Sequence, residues 1–126
     1  MNVDIENYEL ETSLKENELV DLFGILIDNM LEGSPKLSEC YLTINSKDQK
    51  LMVTTRNEGP KLTYQLQEKL FSKGYTTKQS YGIKKRRGFG LYNLSKLVEE
   101  YNGTYYVINE YTKDLSKTYI VFHVEV

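Results

Sequence analysis

Cysteine is nearly absent: Cys40 stands alone, which excludes an internal disulfide, and within an apolar run it reads as a small buried hydrophobe rather than a nucleophile. Long apolar runs are missing too. No window approaches the ~18 consecutive apolar residues of a membrane helix. The acidic start, Met1-Asn2-Val3-Asp4-Ile5-Glu6, lacks the basic, apolar and small-residue succession of a secretory leader, so nothing in it directs export. Internal repeats, low-complexity tracts and linker-like stretches are likewise lacking. What is present fits one ordinary globular domain: 126 residues, 40% hydrophobic and 27% charged. The formal net charge of −2 conceals an asymmetry. Residues 72–90 carry six basic side chains and no acidic one, leaving ten basic against eighteen acidic elsewhere. A local positive loop on an acidic body points to a small anion as partner rather than a long nucleic acid.

Periodicity supplies the elements. Residues 8–14 alternate weakly and are expected to form a short strand. Over residues 18–32, Leu19, Leu22, Phe23, Leu26 and Met30 recur at helical spacing, with Asp21, Asp28 and Glu32 on the other face and Gly33-Ser34-Pro35 as the stop. Two β-like runs, 39–45 and 50–57, flank a polar break and should pair as an antiparallel hairpin. A short polar helix over residues 64–70 precedes an aperiodic, glycine-bearing stretch, 71–88, long enough to be functional and read as a lid. Leu91, Leu94, Val98 and Tyr101 mark a second main helix ended by Asn102-Gly103, followed by β runs at 104–109 and 118–126. Helices between hairpins, rather than in strict alternation with strands, predict an α+β two-layer sandwich with a mixed, mainly antiparallel sheet and helices on one face.

Three constellations carry chemistry. Asn29 falls at the edge of the first helix's buried stripe, where its carboxamide either bonds a neighbouring strand or offers oxygen to Mg²⁺. Asn57-Glu58-Gly59-Pro60 ends an apolar strand in a turn, which is either an ordinary turn or the mouth of a pocket. Lys84-Lys85-Arg86-Arg87-Gly88-Phe89-Gly90 abuts the second main helix. There, glycines let backbone amides approach an anion, and the helix N-terminus adds partial positive charge. Each feature is weak singly; their order and spacing strengthen them.

Taken together, residues 21–32 around Asn29, Asn57-Glu58-Gly59-Pro60, Phe71-Ser72-Lys73-Gly74-Tyr75-Thr76-Thr77-Lys78 and the run from Arg87 to Asn93 resemble the N box, G1 box, F-box lid and G2 box of the GHKL, or Bergerat-fold, ATPases. The likeness spans residues 18–126 and is greatest to the Agr and Com type peptide-pheromone sensor kinases. It implies the ATP-binding catalytic domain of a sensor histidine kinase, with ATP and Mg²⁺ beneath a glycine-rich lid. Such a domain passes the γ-phosphate to a histidine on a separate dimerisation domain and serves a response regulator indirectly. No contact with nucleic acid or membrane is expected of this fragment, whose implied setting is cytoplasmic, below a membrane-anchored parent. By position the likeness implies Asn29 as the Mg²⁺ ligand, Gly88, Gly90 and Leu91 at the phosphates, and Lys78 and Arg87 as phosphate contacts from the lid. Asn57 and Gly59 fall at the adenine, with Asn57 in place of the usual aspartate, and Thr118 matches the G3 threonine. Lys61 and Lys117 stand where the family usually has glycine. Ile25 occupies the position of the glutamate that activates water in the hydrolytic branches. A site without that base suits transfer to an external nucleophile. His123, the only histidine, lacks the acidic surroundings of a phosphoacceptor and reads as structural. The competing readings are an anti-sigma-like serine kinase and a degenerate nucleotide-binding or interaction module.

Overall fold

The chain begins with a strand, β1 (Asn2–Ile5), and continues through a long helix, α1 (Glu16–Gly33), to the hairpin β2 (Tyr41–Lys47) and β3 (Lys50–Glu58). A short helix α2 (Tyr64–Lys69), a second long helix α3 (Phe89–Glu100) and the closing hairpin β4 (Thr104–Tyr111) and β5 (Thr118–Glu125) complete the order. The structure is a computed structural model and describes residues 1–6, 9–33, 37–72 and 89–126. Its five-stranded sheet has the order β1-β2-β3-β5-β4. β1 runs parallel to β2, and every other pairing is antiparallel, as the mixed pattern predicted.

One expectation is corrected at the N-terminus. Residues 8–14 were to be the first strand, but the strand is Asn2–Ile5, and residues 9–14 are irregular. The reason is tertiary: Asn2 N–H reaches the Cys40 carbonyl at 2.8 Å and Glu6 N–H the Ile44 carbonyl at 3.0 Å, tying the earlier segment to β2. Glu11 N–H instead donates to the Ser46 hydroxyl at 2.9 Å, a side-chain bond that replaces a ladder.

The β2–β3 turn is tighter than the polar break implied. Strand pairing continues to Lys47 and Lys50, and Asp48 and Gln49 both take left-handed backbone angles, φ 54° and 67°. That is the type I′ geometry whose twist matches the flanking strands.

On β3, Leu51, Val53, Thr55 and Asn57 point to the helix-covered face, opposite Val124, Phe122 and Ile120 of β5. Against them pack Leu22, Leu26 and Met30 of α1 and Leu94 and Val98 of α3, all essentially inaccessible. These are the helical positions the periodicity picked out, buried because both helices lay one apolar stripe on one sheet face. His123 lies on the opposite face, bonded through Nδ1 to the Thr54 hydroxyl at 2.9 Å and stacked on Tyr106 at 4.9 Å.

The two long helices are joined at one end by Glu18 and Tyr101. The Glu18 carboxylate accepts from the Tyr101 hydroxyl and from the Lys15 N–H at 2.9 Å, fixing the start of α1 against the end of α3. The Tyr101 bond, then the Lys15 amide, holds the Glu18 carboxyl below the usual carboxylate range, and the same bond to Glu18 lifts Tyr101 above the usual phenol value. A depressed carboxyl stabilises the fold above the pH at which a free glutamate titrates, and that stabilisation is lost as pH falls through the folded value. A raised phenol acts oppositely, its stabilisation present below the free tyrosine value and lost as pH rises through the folded one. Denaturation midpoints of wild type and Glu18→Gln should therefore differ near neutral pH and converge as pH falls through and below the range in which a free glutamate titrates. Parallel profiles through that window would refute the assignment.

Candidate nucleotide site between the helices and the end of the central strand

Asn57 is the last inward-facing residue of β3 and is almost wholly buried, 3% exposed. Its amide nitrogen donates to the Glu58 carbonyl at 3.1 Å, which fixes the orientation of the group, since only the NH₂ can donate to a carbonyl. Its side-chain oxygen then has no hydrogen-bond partner among the described residues. A buried polar atom without a partner is unusual in a native fold and needs a donor that the described residues do not supply.

The turn that follows is built for this strand end. Gly59 donates its N–H to the Thr118 carbonyl at 3.0 Å, so two residues matched to separate motifs meet across β3 and β5. A Cβ at position 59 would lie 2.4 Å from Ile120 Cδ1, inside contact distance, so glycine there serves packing as well as the turn. Asn109 then locks the next residues. Its side-chain oxygen accepts from Leu62 N–H at 2.7 Å, and its nitrogen donates to the Pro60 and Tyr119 carbonyls, each at 3.2 Å. The sequence pattern marks Asn109 only as the end of a β run. Its position on the inward side of β4, in step with Tyr105 and Val107, is the signal that an amide there must be satisfied by the facing loop.

The phosphate side of the proposed site is formed by helix ends. α3 starts at Phe89, so Gly90 lies in the first helical turn and not immediately before the helix as the motif suggested. A Cβ on Gly90 would meet Ile25 Cγ2 of α1 at 3.6 Å, an ordinary contact. Packing therefore tolerates alanine at 90, and any anion contact by Gly90 is through its backbone amide, one of the first-turn amides that a helix leaves without an internal partner. Leu91 has its side chain in the core, 8% exposed, which leaves only its amide for the role expected of it. Asn29 is half-buried one turn beyond Ile25, about 6 Å further along the axis of α1. Ile25 itself is a hydrocarbon at the position where a base would activate water.

Lys78, Arg87 and Gly88 lie outside the described residues, as does the expected lid from residue 73 to 88. Its first expected residue, Phe71, is not part of a loose loop: the ring packs on Tyr105 at 4.6 Å and on Phe122 at 6.0 Å. Thr118 is the first residue of β5, half-buried, and its neighbour Lys117 pairs with Glu39 at 3.3 Å. That pairing lifts the lysine above its usual value.

The family model for histidine kinase-, DNA gyrase B- and HSP90-like ATPases matches residues 14–126. The chain belongs to that family. Among its relatives, the sensor histidine kinase CitA of Klebsiella pneumoniae is 30% identical over 106 residues, covering 79% of this chain and 18% of CitA. The sensor protein CitS of Halalkalibacterium halodurans is 28% identical over 115 residues, covering 85% of this chain and 21% of CitS. The chain thus spans about a fifth of the length of these curated relatives. The nucleotide-free catalytic domain of histidine kinase ThkA superposes with a TM-score of 0.71 at 22% identity, over 97% of this chain and 75% of that one. ThkA in complex with the response regulator TrrA gives 0.62 at 19% identity, over 98% and 33%. The α+β sandwich of this family member is that of histidine-kinase catalytic domains, and membership in an ATPase family makes ATP its nucleotide. Among the described residues no helix is long and apolar enough to cross a membrane.

Proposed function

We propose that residues 1–126 form a single domain, the ATP-binding catalytic domain of a two-component sensor histidine kinase, which transfers the γ-phosphate of Mg-ATP to a histidine on a separate dimerisation domain. The observation that carries this reading is the buried side-chain oxygen of Asn57, which has no partner among the described residues and stands at the end of the central strand as an acceptor for the exocyclic amine of adenine. Gly59, Thr118 and Asn109 hold the turn against which the base rests. The first-turn amides of α3, at Gly90 and Leu91, face the phosphates, with Lys78, Arg87 and Gly88 proposed to complete that side. Asn29 fits Mg²⁺, a hard cation that takes oxygen donors and bridges phosphates, and the ion would supply charge neutralisation at the transferred group. With Ile25 where a base would be needed, water is not activated and an external nucleophile is required. The response regulator enters through the dimerisation domain, and the setting is cytoplasmic.

The finer branch rests on the motifs. Their likeness to peptide-pheromone kinases supports a quorum-sensing parent, while a further relative, a probable C4-dicarboxylate sensor kinase of Halalkalibacterium halodurans that is 29% identical over 98 residues, favours a dicarboxylate sensor; the sensor portion of the parent, assayed for its ligand, separates the two.

Incubated with labelled Mg-ATP, the chain alone should gain no label and release little phosphate. Once the parent's purified dimerisation domain is added, acid-labile label should appear on that domain. Acid-stable label on a serine protein, or brisk hydrolysis by the chain alone, would assign it to another branch of the family.

A further inference from the structure

Asn109 lies on β4, in none of the four sequence motifs, yet it spends its whole carboxamide beside the strand end that holds Asn57. Its oxygen takes the Leu62 N–H at 2.7 Å, and its two N–H groups serve the Pro60 and Tyr119 carbonyls at 3.2 Å. A flipped amide would set oxygen against two carbonyls and NH₂ against an N–H, so one orientation alone satisfies all three. Residues 60 and 62 are thereby pinned to β4 and β5. The turn they close decides which atom Asn57 shows to the interior. Peptide 58–59 is trans, so its carbonyl points opposite to its N–H. Gly59 N–H is held by the Thr118 carbonyl at 3.0 Å, which turns the Glu58 carbonyl away from β5, where it meets the Asn57 NH₂ at 3.1 Å. The Asn57 oxygen is left as the end of the amide without a partner among the described residues. The two ends of a carboxamide are nearly equal in size, so this one contact tells them apart.

We propose that Asn109 is a positioning residue for nucleobase selection: by pinning residues 60 and 62 it holds peptide 58–59, and that peptide keeps the Asn57 amide oxygen-first. The slot then accepts a purine with an amine at its six-position and rejects one with a carbonyl there. This rests on the kinase reading above, in which adenine sits at Asn57, and adds the residue that enforces the choice. Because asparagine is neutral and two-faced, its orientation carries the discrimination. An oxygen-first amide accepts from an amine and repels a carbonyl, whereas a nitrogen-first amide does the reverse. A carboxylate at position 57 would present an acceptor either way and would need no such hold. Asparagine needs it, and the hold is supplied from a strand that the motifs do not include.

The test measures binding of ATP and of inosine triphosphate, which carries a carbonyl oxygen where adenine carries its amine, each with Mg²⁺, by calorimetry on the whole chain. Thermal midpoints are recorded beside the affinities. The wild-type chain should prefer ATP by roughly tenfold or more, the scale of one hydrogen bond replaced by a repulsion. Asn109→Ala should reduce that preference to roughly twofold or less. Asn109→Asp, nearly the same size, keeps the acceptor for Leu62 but turns oxygen on two carbonyls, and should do the same; it carries the test if the alanine variant does not fold. Glu18→Gln, which loosens the helix pair far from this turn, should keep the preference. Adding Asn57→Asp to Asn109→Ala should restore it, a rescue that a merely structural role for Asn109 does not predict. Wild-type preference in a folded Asn109 variant, or no rescue in the double variant, overturns the inference and leaves the kinase reading standing. Equal wild-type affinity for the two nucleotides also overturns it, while phosphoryl transfer to the dimerisation domain keeps that reading. A wild-type chain that binds neither nucleotide removes both.

Discussion

Asn29→Ala is expected to lose on the order of 100-fold in Mg-ATP affinity, the scale of removing a buried, charge-assisted contact. The residue is half-buried on the last turns of α1, one turn past the Ile25 side chain that faces Gly90. As the proposed metal ligand, Asn29 would give its side-chain oxygen to Mg²⁺, and alanine offers the metal no oxygen. Asn29 has contacts within the chain, so the variant's denaturation midpoint must be measured beside its affinity. A metal role predicts a particular signature: chelating Mg²⁺ should reduce wild-type affinity to the level of the variant and leave the variant nearly unmoved. Equal sensitivity to chelation in both proteins would place the metal elsewhere, and unchanged affinity in a folded variant would remove Asn29 from the site.

The second large effect concerns stability. α3 ends with Gly103 N–H on the Val98 carbonyl at 2.9 Å and Asn102 N–H on the Glu99 carbonyl at 3.0 Å, and Asn102 takes the left-handed conformation, φ 56°. This is a Schellman motif in which asparagine, not glycine, occupies the left-handed position. Gly103 is required for a different reason. A Cβ there would lie 2.3 Å from the Glu125 carbonyl oxygen and 2.9 Å from Val98 Cγ1. The oxygen belongs to the backbone of a paired strand, so no rotamer change relieves the clash. Gly103→Ala should cost about 3 kcal/mol, read as a lower denaturation midpoint at unchanged m. Asn102→Gly, at the residue with the unusual dihedral, should change stability by only a few tenths of a kcal/mol. If the two substitutions cost the same, the local cap and not the contact with β5 governs this position.

Much of this was legible in the sequence. The helical stripe Leu22, Leu26, Met30 and the pair Leu94, Val98 identified the buried faces, because burial on one side of a helix imposes a 3.6-residue period whatever lies opposite. The β2–β3 and β4–β5 hairpins were legible for the same reason, as short alternating runs with a polar break between them. The order of Asn29, Asn57-Gly59 and Gly88-Gly90, and the missing base at Ile25, indicated the family before any coordinates, since spacing along the chain preserves the order of a site's parts.

Tertiary structure alone decided the rest. The N-terminal strand is Asn2–Ile5 rather than the segment after it, because parallel pairing to β2 joins residues nearly forty apart and leaves no local pattern. Asn109 holds the loop after β3 through two hydrogen bonds, to Leu62 and Pro60, and bonds Tyr119 of β5 through a third, none of which a sequence neighbour foreshadows. Gly24 and Gly103 look alike as letters, yet one faces open space and the other a carbonyl oxygen. That the Asn57 oxygen has no partner among the described residues depends on which groups surround it once β3 is covered by α1 and flanked by β5. Periodicity records which side of an element is buried; it holds no information about what stands on the other side of the contact, and that is fixed only when the elements pack.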